Sequence, residues 1–270
     1  MIINHRLLLF VLISSLLVSC ATSPTGRRQL MLVSEESSIV SSKQAYISTV
    51  KELEKAGKLE ESWVINKKVK VITGQLITEA IKMRPDTVDW EWSVVVIDDP
   101  ETVNAWCMAG GRMAIYTGLL TQVEPTEDEL AQVMGHEIAH ALAKHTAEKM
   151  SMQIATSVGV AAVGIASDNT GVALTGAALT AMLAVSLPNS RAAEKEADRI
   201  GIELAAKAGF NPAAAATLWK KMGAISKSGT PQFLSTHPDP ENRQQELARL
   251  ETKMKQYYFP RAEHPVYPLH

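Results

Sequence analysis

The chain is 270 residues long, 46% hydrophobic and 21% charged, with a formal net charge of −2. That length fits one catalytic domain with appendages, and no basic run stands out as the footprint of a nucleic-acid partner. Aromatics make up only 5% while Ala, Leu and Met are plentiful, which predicts a helix-rich fold.

His5 and Arg6 precede an apolar run from Leu7 to Val18, broken by Ser14 and Ser15. This is a positive lead followed by a stretch too short to span a bilayer as an ordinary helix. It closes on Leu17-Val18-Ser19-Cys20, which resembles a bacterial lipobox. The resemblance implies a signal peptide over 1–19 and a Cys20 that carries palmitate-type lipid as the first mature residue. Ala21 stands where an inner-membrane retention signal would place Asp, which implies a lipid-anchored position on the periplasmic face of the outer membrane. An uncleaved anchor helix is the alternative, and small Ser19 argues against it. Cys107, the other cysteine, then has no disulfide partner and reads as a packing residue rather than a nucleophile.

Ala21 to about Glu36 is rich in Ser, Thr, Pro, Gly and Arg, and predicts an extended tether over residues 20–36. Residues 37–58 and 62–84 carry apolar positions at helical spacing, among them Val64, Val69, Ile72, Leu76 and Ile77. Ser93 to Asp98 is short and β-branched, hence a buried strand. Gly110-Gly111 turns into a second strand at Met113 to Thr117. Thr126 caps a helix from Glu127 to about Ala147, whose first turn holds Glu127, Asp128 and Glu129 beside the positive end of the helix dipole. Residues 151–187 are poor in charge and divided by a turn at 167–171, predicting two closely packed helices, with a membrane hairpin as the alternative. Helices over 191–208 and 212–226 follow, then a last one from near Pro240 to about Tyr257. A domain over 37–258 and a tail over 259–270 complete the plan.

His136-Glu137-Ile138-Ala139-His140 carries the chemistry. Residues four apart share a helix face, so His136 and His140 project together and can hold one Zn²⁺. Glu137 sits beside them without being a ligand and can act as general base towards a metal-activated water. A third ligand is still needed. His145 lies nine residues from His136 and would face about 180° away on a continuous helix, as a surface residue or a support to a ligand. Glu194 and Asp198 share a second helix face. One carboxylate could bind the metal while the other takes a hydrogen bond from a ligand imidazole, and by spacing alone the two could exchange roles.

The His-Glu-Ile-Ala-His helix and the Glu194-Lys195-Glu196-Ala197-Asp198 helix together resemble metallopeptidase family 48. That family includes CAAX prenyl endopeptidases, HtpX-type quality-control proteases and small periplasmic lipoproteins. The resemblance covers about Pro24 to Arg243. It implies Glu194 as third ligand to one zinc per chain and Asp198 as the supporting carboxylate. It implies a predominantly helical α+β, gluzincin-type protease domain, with a small sheet whose edge strand faces the active-site cleft. Asn104, Ala105 and Trp106 match that strand, and Ala109 stands where the family often has Pro. Leu234-Ser235-Thr236-His237-Pro238 and Arg243 resemble a loop near the metal, where His237 could fill the open zinc position or hydrogen-bond a reaction intermediate. The implied function is zinc-dependent endopeptidase action on unfolded or misfolded envelope proteins. The rivals are a holdase that tolerates loss of Glu137 and an integral-membrane protease built on residues 151–187.

Overall fold

The computed structural model describes residues 20–166, 172–225, 232–237, 243–260 and 262–269. The signal-peptide segment, the turn at 167–171 and Pro240 lie outside them.

Ser34 caps α1 (Glu35–Lys55), its hydroxyl accepting from the Ser37 N–H at 3.1 Å. Ser62 opens α2 (Trp63–Met83), which buries Val69, Ile72, Leu76 and Ile77. Val64 differs from expectation: it follows the apolar spacing yet lies 68% exposed in the first turn, ahead of the stretch that meets the core.

The described chain begins in a hairpin, in which β1 (Cys20–Thr22) pairs antiparallel with β2 (Arg28–Leu30). Three further strands make one sheet: β3 (Ser93–Ile97), β4 (Ala105–Met108) and β5 (Arg112–Tyr116), in the order β3-β5-β4. β3 runs parallel to β5 and β4 antiparallel to it. Gly110 and Gly111, with φ of +84° and +81°, make the β4–β5 turn. A side chain is excluded at Gly111 a second time, because its Cβ would lie 2.4 Å from the Trp92 ring. Residues 58–60 cover the outer side of β3, through Glu60 N–H to the Val96 carbonyl and Asp98 N–H to the Lys58 carbonyl, both 2.9 Å. β4 is the other edge.

After α3 (Thr117–Gln122) comes α4 (Glu127–Leu142), started by a reciprocal cap in which Thr126 and Glu129 satisfy each other's backbone N–H. Leu130, Val133, Met134 and Ile138 make it the centre of the core. The expected continuation to Ala147 fails at Lys144, whose φ of +59° breaks the helix. α5 (His145–Ala166) starts there in a new direction.

α6 (Val172–Lys207) absorbs the helix expected at 191–208 and packs closely along α4. α7 (Ala214–Ile225), α8 (Gln232–Thr236) and α9 (Arg243–Met254) complete the helical layer. Helix thus dominates over two small sheets, the α+β class expected. No helix among the described residues is long and apolar enough to cross a membrane.

The expected extended tether is corrected by the hairpin. Its polar side chains lie against α5 and α6: Arg27 pairs with Glu148 at 2.5 Å and Glu196 at 2.6 Å. Gln29 donates to the Ala143 carbonyl at 2.7 Å and to Glu148 at 2.8 Å. Composition predicted exposure; buried carboxylates on the partner helices hold the segment instead.

Candidate metal centre

His136 and His140 leave the same face of α4, with their Nε2 atoms 3.0 Å apart. α6 brings Glu194 to them, one carboxylate oxygen 3.3 Å from His136 Nε2 and the other 3.4 Å from His140 Nε2. His237, just past α8, places Nδ1 3.2 Å from both His136 Nε2 and Glu194. One ligand-type atom from each of these four residues falls within a 4.8 Å span.

Tautomers follow from the partners. His136 Nδ1 faces Asp198 at 3.0 Å, so its N–H points there, and the neutral ring carries its lone pair at Nε2, towards the cluster. Asp198 is fixed in turn by Arg243 at 2.6 Å. The Arg243 guanidinium lies 3.6 Å over the Trp219 ring, a stacked cation with almost no exposure.

His140 is supported from the other side. Lys144 bends the chain so that His145 Nδ1 comes 2.8 Å from His140 Nδ1, while His145 Nε2 lies 3.2 Å from Glu196. Burial would raise the Glu196 carboxyl. Hydrogen bonds from His145, Ser23, Thr25 and Arg27 outweigh it and hold the group at about 2. An ionised Glu196 only accepts, so His145 donates to it from Nε2, and the tautomer that leaves His145 Nδ1 as an acceptor takes the His140 N–H there. His140 Nε2 is then bare as well.

Imidazole lone pairs and a carboxylate therefore converge on one point and repel unless positive charge lies among them. Burial presses His136 down, but Asp198 and Glu194 carry it up to about 9. The Glu194 carboxyl is held well below the ordinary range: burial opposes this, and His136, His237 and His140 prevail. His140 is driven down by burial and by its imidazole neighbours. The pocket is built to hold cationic charge, and a His/His/Glu set with a further His is a donor set that zinc takes. The residues present fit a divalent metal.

Glu137 follows His136 on α4. Burial raises its carboxyl above the usual carboxylate range, and the nearby Cys107 backbone of β4 opposes that shift. One of its oxygens lies 3.3 Å from His237 Nε2. The edge strand thus runs beside the site. Asn104 precedes β4 and its side chain accepts from the Ala105 N–H at 3.0 Å, while Trp106 meets Tyr46 edge-on at 6.0 Å. Burial and nearby Glu137 raise the Cys107 thiol well above its ordinary value, which leaves it a poor nucleophile.

The structure thus gathers His136, Glu137, His140, Glu194, Asp198, His237 and Arg243 in one place, with Asn104, Ala105 and Trp106 along its edge strand. The Cys20 side chain lies outside the described set. Sequence reasoning passed over Glu196, Arg27 and Phe233. The Phe233 ring lies 4.6 Å from that of His237, and its N–H donates to the Val103 carbonyl at 3.0 Å, tying α8 to the approach of β4.

Residues 65–251 match the model of peptidase family M48. The chain belongs to that family. It is 33% identical to the mitochondrial metalloendopeptidase OMA1 of Bos taurus over 84% of this chain and 45% of that protein. It is 38% identical to the corresponding Schizosaccharomyces pombe metalloendopeptidase over 57% of this chain and 45% of that protein. A beta-barrel assembly-enhancing protease of Yersinia pestis is 30% identical over 57% of this chain and 34% of that protein. The chain spans less than half the length of these curated relatives.

Proposed function

We propose that the protein is a zinc-dependent metalloendopeptidase that hydrolyses unfolded or misassembled proteins of the bacterial envelope. The observation that carries this reading is the convergence of His136, His140 and Glu194 beside a buried Glu137 and an edge strand. In this reading those three residues would hold one zinc ion, whose chemistry there would be Lewis-acid activation of water and carbonyl. Glu137 is the base. Its raised pKa suits it to take a proton from the attacking water and return it to the leaving amine. Asp198, itself held by Arg243, fixes the His136 ring. His237, with Nδ1 3.2 Å from Glu194 and Nε2 3.3 Å from Glu137, would either complete the ligand set or donate a hydrogen bond to the substrate.

An extended peptide adds alongside Ala105 and Trp106, with Asn104 at the start of the strand. Affinity then comes from main-chain pairing with little demand on sequence. That suits unfolded clients, and a role in the envelope is consistent with the Yersinia pestis relative being named a beta-barrel assembly-enhancing protease. A lipid on Cys20 would anchor the domain at the periplasmic face of the outer membrane. Because Cys20 begins the seated β1, the domain would sit directly against the bilayer.

The test compares zinc content and cleavage of an unfolded protein by wild type and Glu137→Gln. Zinc in both with cleavage in wild type alone supports the reading. A Glu137→Gln protein that cleaves as well as wild type removes Glu137 from the mechanism.

A further inference from the structure

We propose that the N-terminal hairpin is a positioning element of the metal centre, with Arg27 holding Glu196, Glu196 holding His145, and His145 setting the ring of His140. The inference rests on the reading of His140 as a metal ligand.

The observations form one continuous series. Between β1 and β2 the chain turns at Gly26, whose φ is +87°. On that turn Ser23 and Thr25 both give their hydroxyl hydrogens to one oxygen of Glu196. Arg27 Nε donates to the other oxygen at 2.6 Å. Three donors from a segment about 170 residues away in the chain converge on a single carboxylate. Glu196 then accepts from His145 at 3.2 Å, and His145 meets His140 Nδ1 at 2.8 Å. The far nitrogen of the same His140 ring points into the ligand cluster, 3.4 Å from Glu194.

The hairpin also secures the bend on which this series depends. The Arg27 guanidinium grips Glu148 with two further bonds of 2.7 and 2.5 Å. Gln29 reaches both Glu148 and the Ala143 carbonyl, on either side of Lys144. A ligand imidazole whose second nitrogen has a fixed partner keeps its tautomer and aim, and loss of such a partner lowers metal affinity about 10–100-fold. Arg27, Ser23 and Thr25 stand three hydrogen bonds from the ring and touch no ligand. Their effect must pass through His145, and that requirement separates positioning from general support.

Zinc affinity of the full chain, measured by competition with a chromophoric chelator, tests this, with unfolding of each zinc-free form followed in parallel. His145→Gln is expected to bind zinc about 10–100-fold more weakly than wild type, and Arg27→Ala about tenfold more weakly. The double variant is expected to match His145→Gln within about twofold, because both changes cut the same series. Arg27→Lys, which keeps the charge, is expected to recover part of the loss. Should Arg27→Ala not fold, the paired Ser23→Ala and Thr25→Val changes take its place with the same expectations. Unchanged affinity in the hairpin variants, or losses that multiply in full with His145→Gln, overturn the proposal alone. A wild-type chain that binds no zinc overturns it together with the metal-centre reading.

Discussion

Gly135 of α4 and Gly201 of α6 lie backbone to backbone. A Cβ on Gly135 would stand 2.9 Å from the Gly201 carbonyl, and one on Gly201 would stand 2.8 Å from the His136 nitrogen. The two helices approach this closely because neither presents a side chain at the crossing. Glu194 and Asp198 reach His136 from α6 only because of that approach. Gly201→Ala forces backbone apart, and is expected to destabilise the fold by about 1–3 kcal/mol. It should weaken zinc binding as well. Urea unfolding and chelator competition read the two effects, and an alanine accepted without loss in either would show that the crossing has slack.

Glu137→Gln keeps the size of the side chain and removes its basicity. Peptide cleavage is expected to fall by about 10²–10⁴-fold with one zinc per chain retained. Turnover of a quenched unfolded substrate, alongside metal analysis, checks both halves.

Arg243 holds Asp198 at 2.6 Å, and Asp198 holds the His136 N–H at 3.0 Å. Asp198→Asn offers His136 a weaker acceptor and leaves the buried guanidinium short of a counter-charge. Zinc affinity should drop about 10–100-fold, whereas Asp198→Glu should retain more of it. Equal affinity in wild type and Asp198→Asn would argue against the support role.

The start of the catalytic helix carries a pH dependence. Burial opposes ionisation of Glu129, but bonds from Lys221 at 2.6 Å, Thr217 at 2.7 Å and the Thr126 N–H at 2.9 Å hold its carboxyl below the ordinary value of 4.5. The folded form therefore binds this proton less readily than the unfolded chain. The stabilisation is fully present above about pH 4.5 and disappears as pH falls through the folded pKa. Glu129→Gln should flatten that part of the stability curve, and Thr126→Ala should cost about 1 kcal/mol at neutral pH. Chemical unfolding between about pH 6 and 3 measures the slope, and a Glu129→Gln curve parallel to wild type would assign it to other groups.

The helices could be read because their apolar spacing is strong. The pairs His136/His140 and Glu194/Asp198 are legible in the sequence as i,i+4 faces. Asp198 and Glu194 could not be ranked by spacing, since their roles depend on which one α6 turns towards Nδ1 and which towards Nε2 of His136. Glu196 sits two positions from Glu194 and points to another side of its helix, so no facial pattern marks it. The hairpin at residues 20–30 was missed for a related reason. Ser, Thr, Gly and Arg look like linker composition until the buried carboxylates that receive them are known, and those lie on α5 and α6. Val64 fits the spacing of α2 but precedes the stretch that meets the sheet, a matter of length rather than period.

Lys144 adopts a left-handed backbone at a site where a side chain is normally costly, and its ammonium reaches Glu35 of α1 at 2.8 Å. Five residues on an unbroken helix would turn His145 about 140° from His140. With the bend, the same five residues make the two imidazoles neighbours. A search template that treats every residue after the zinc-binding pair as helical would discard His145 at the outset. One that allows a single left-handed residue in the interval would recover it, and would flag related chains by the residue found at the bend as well as by the histidines.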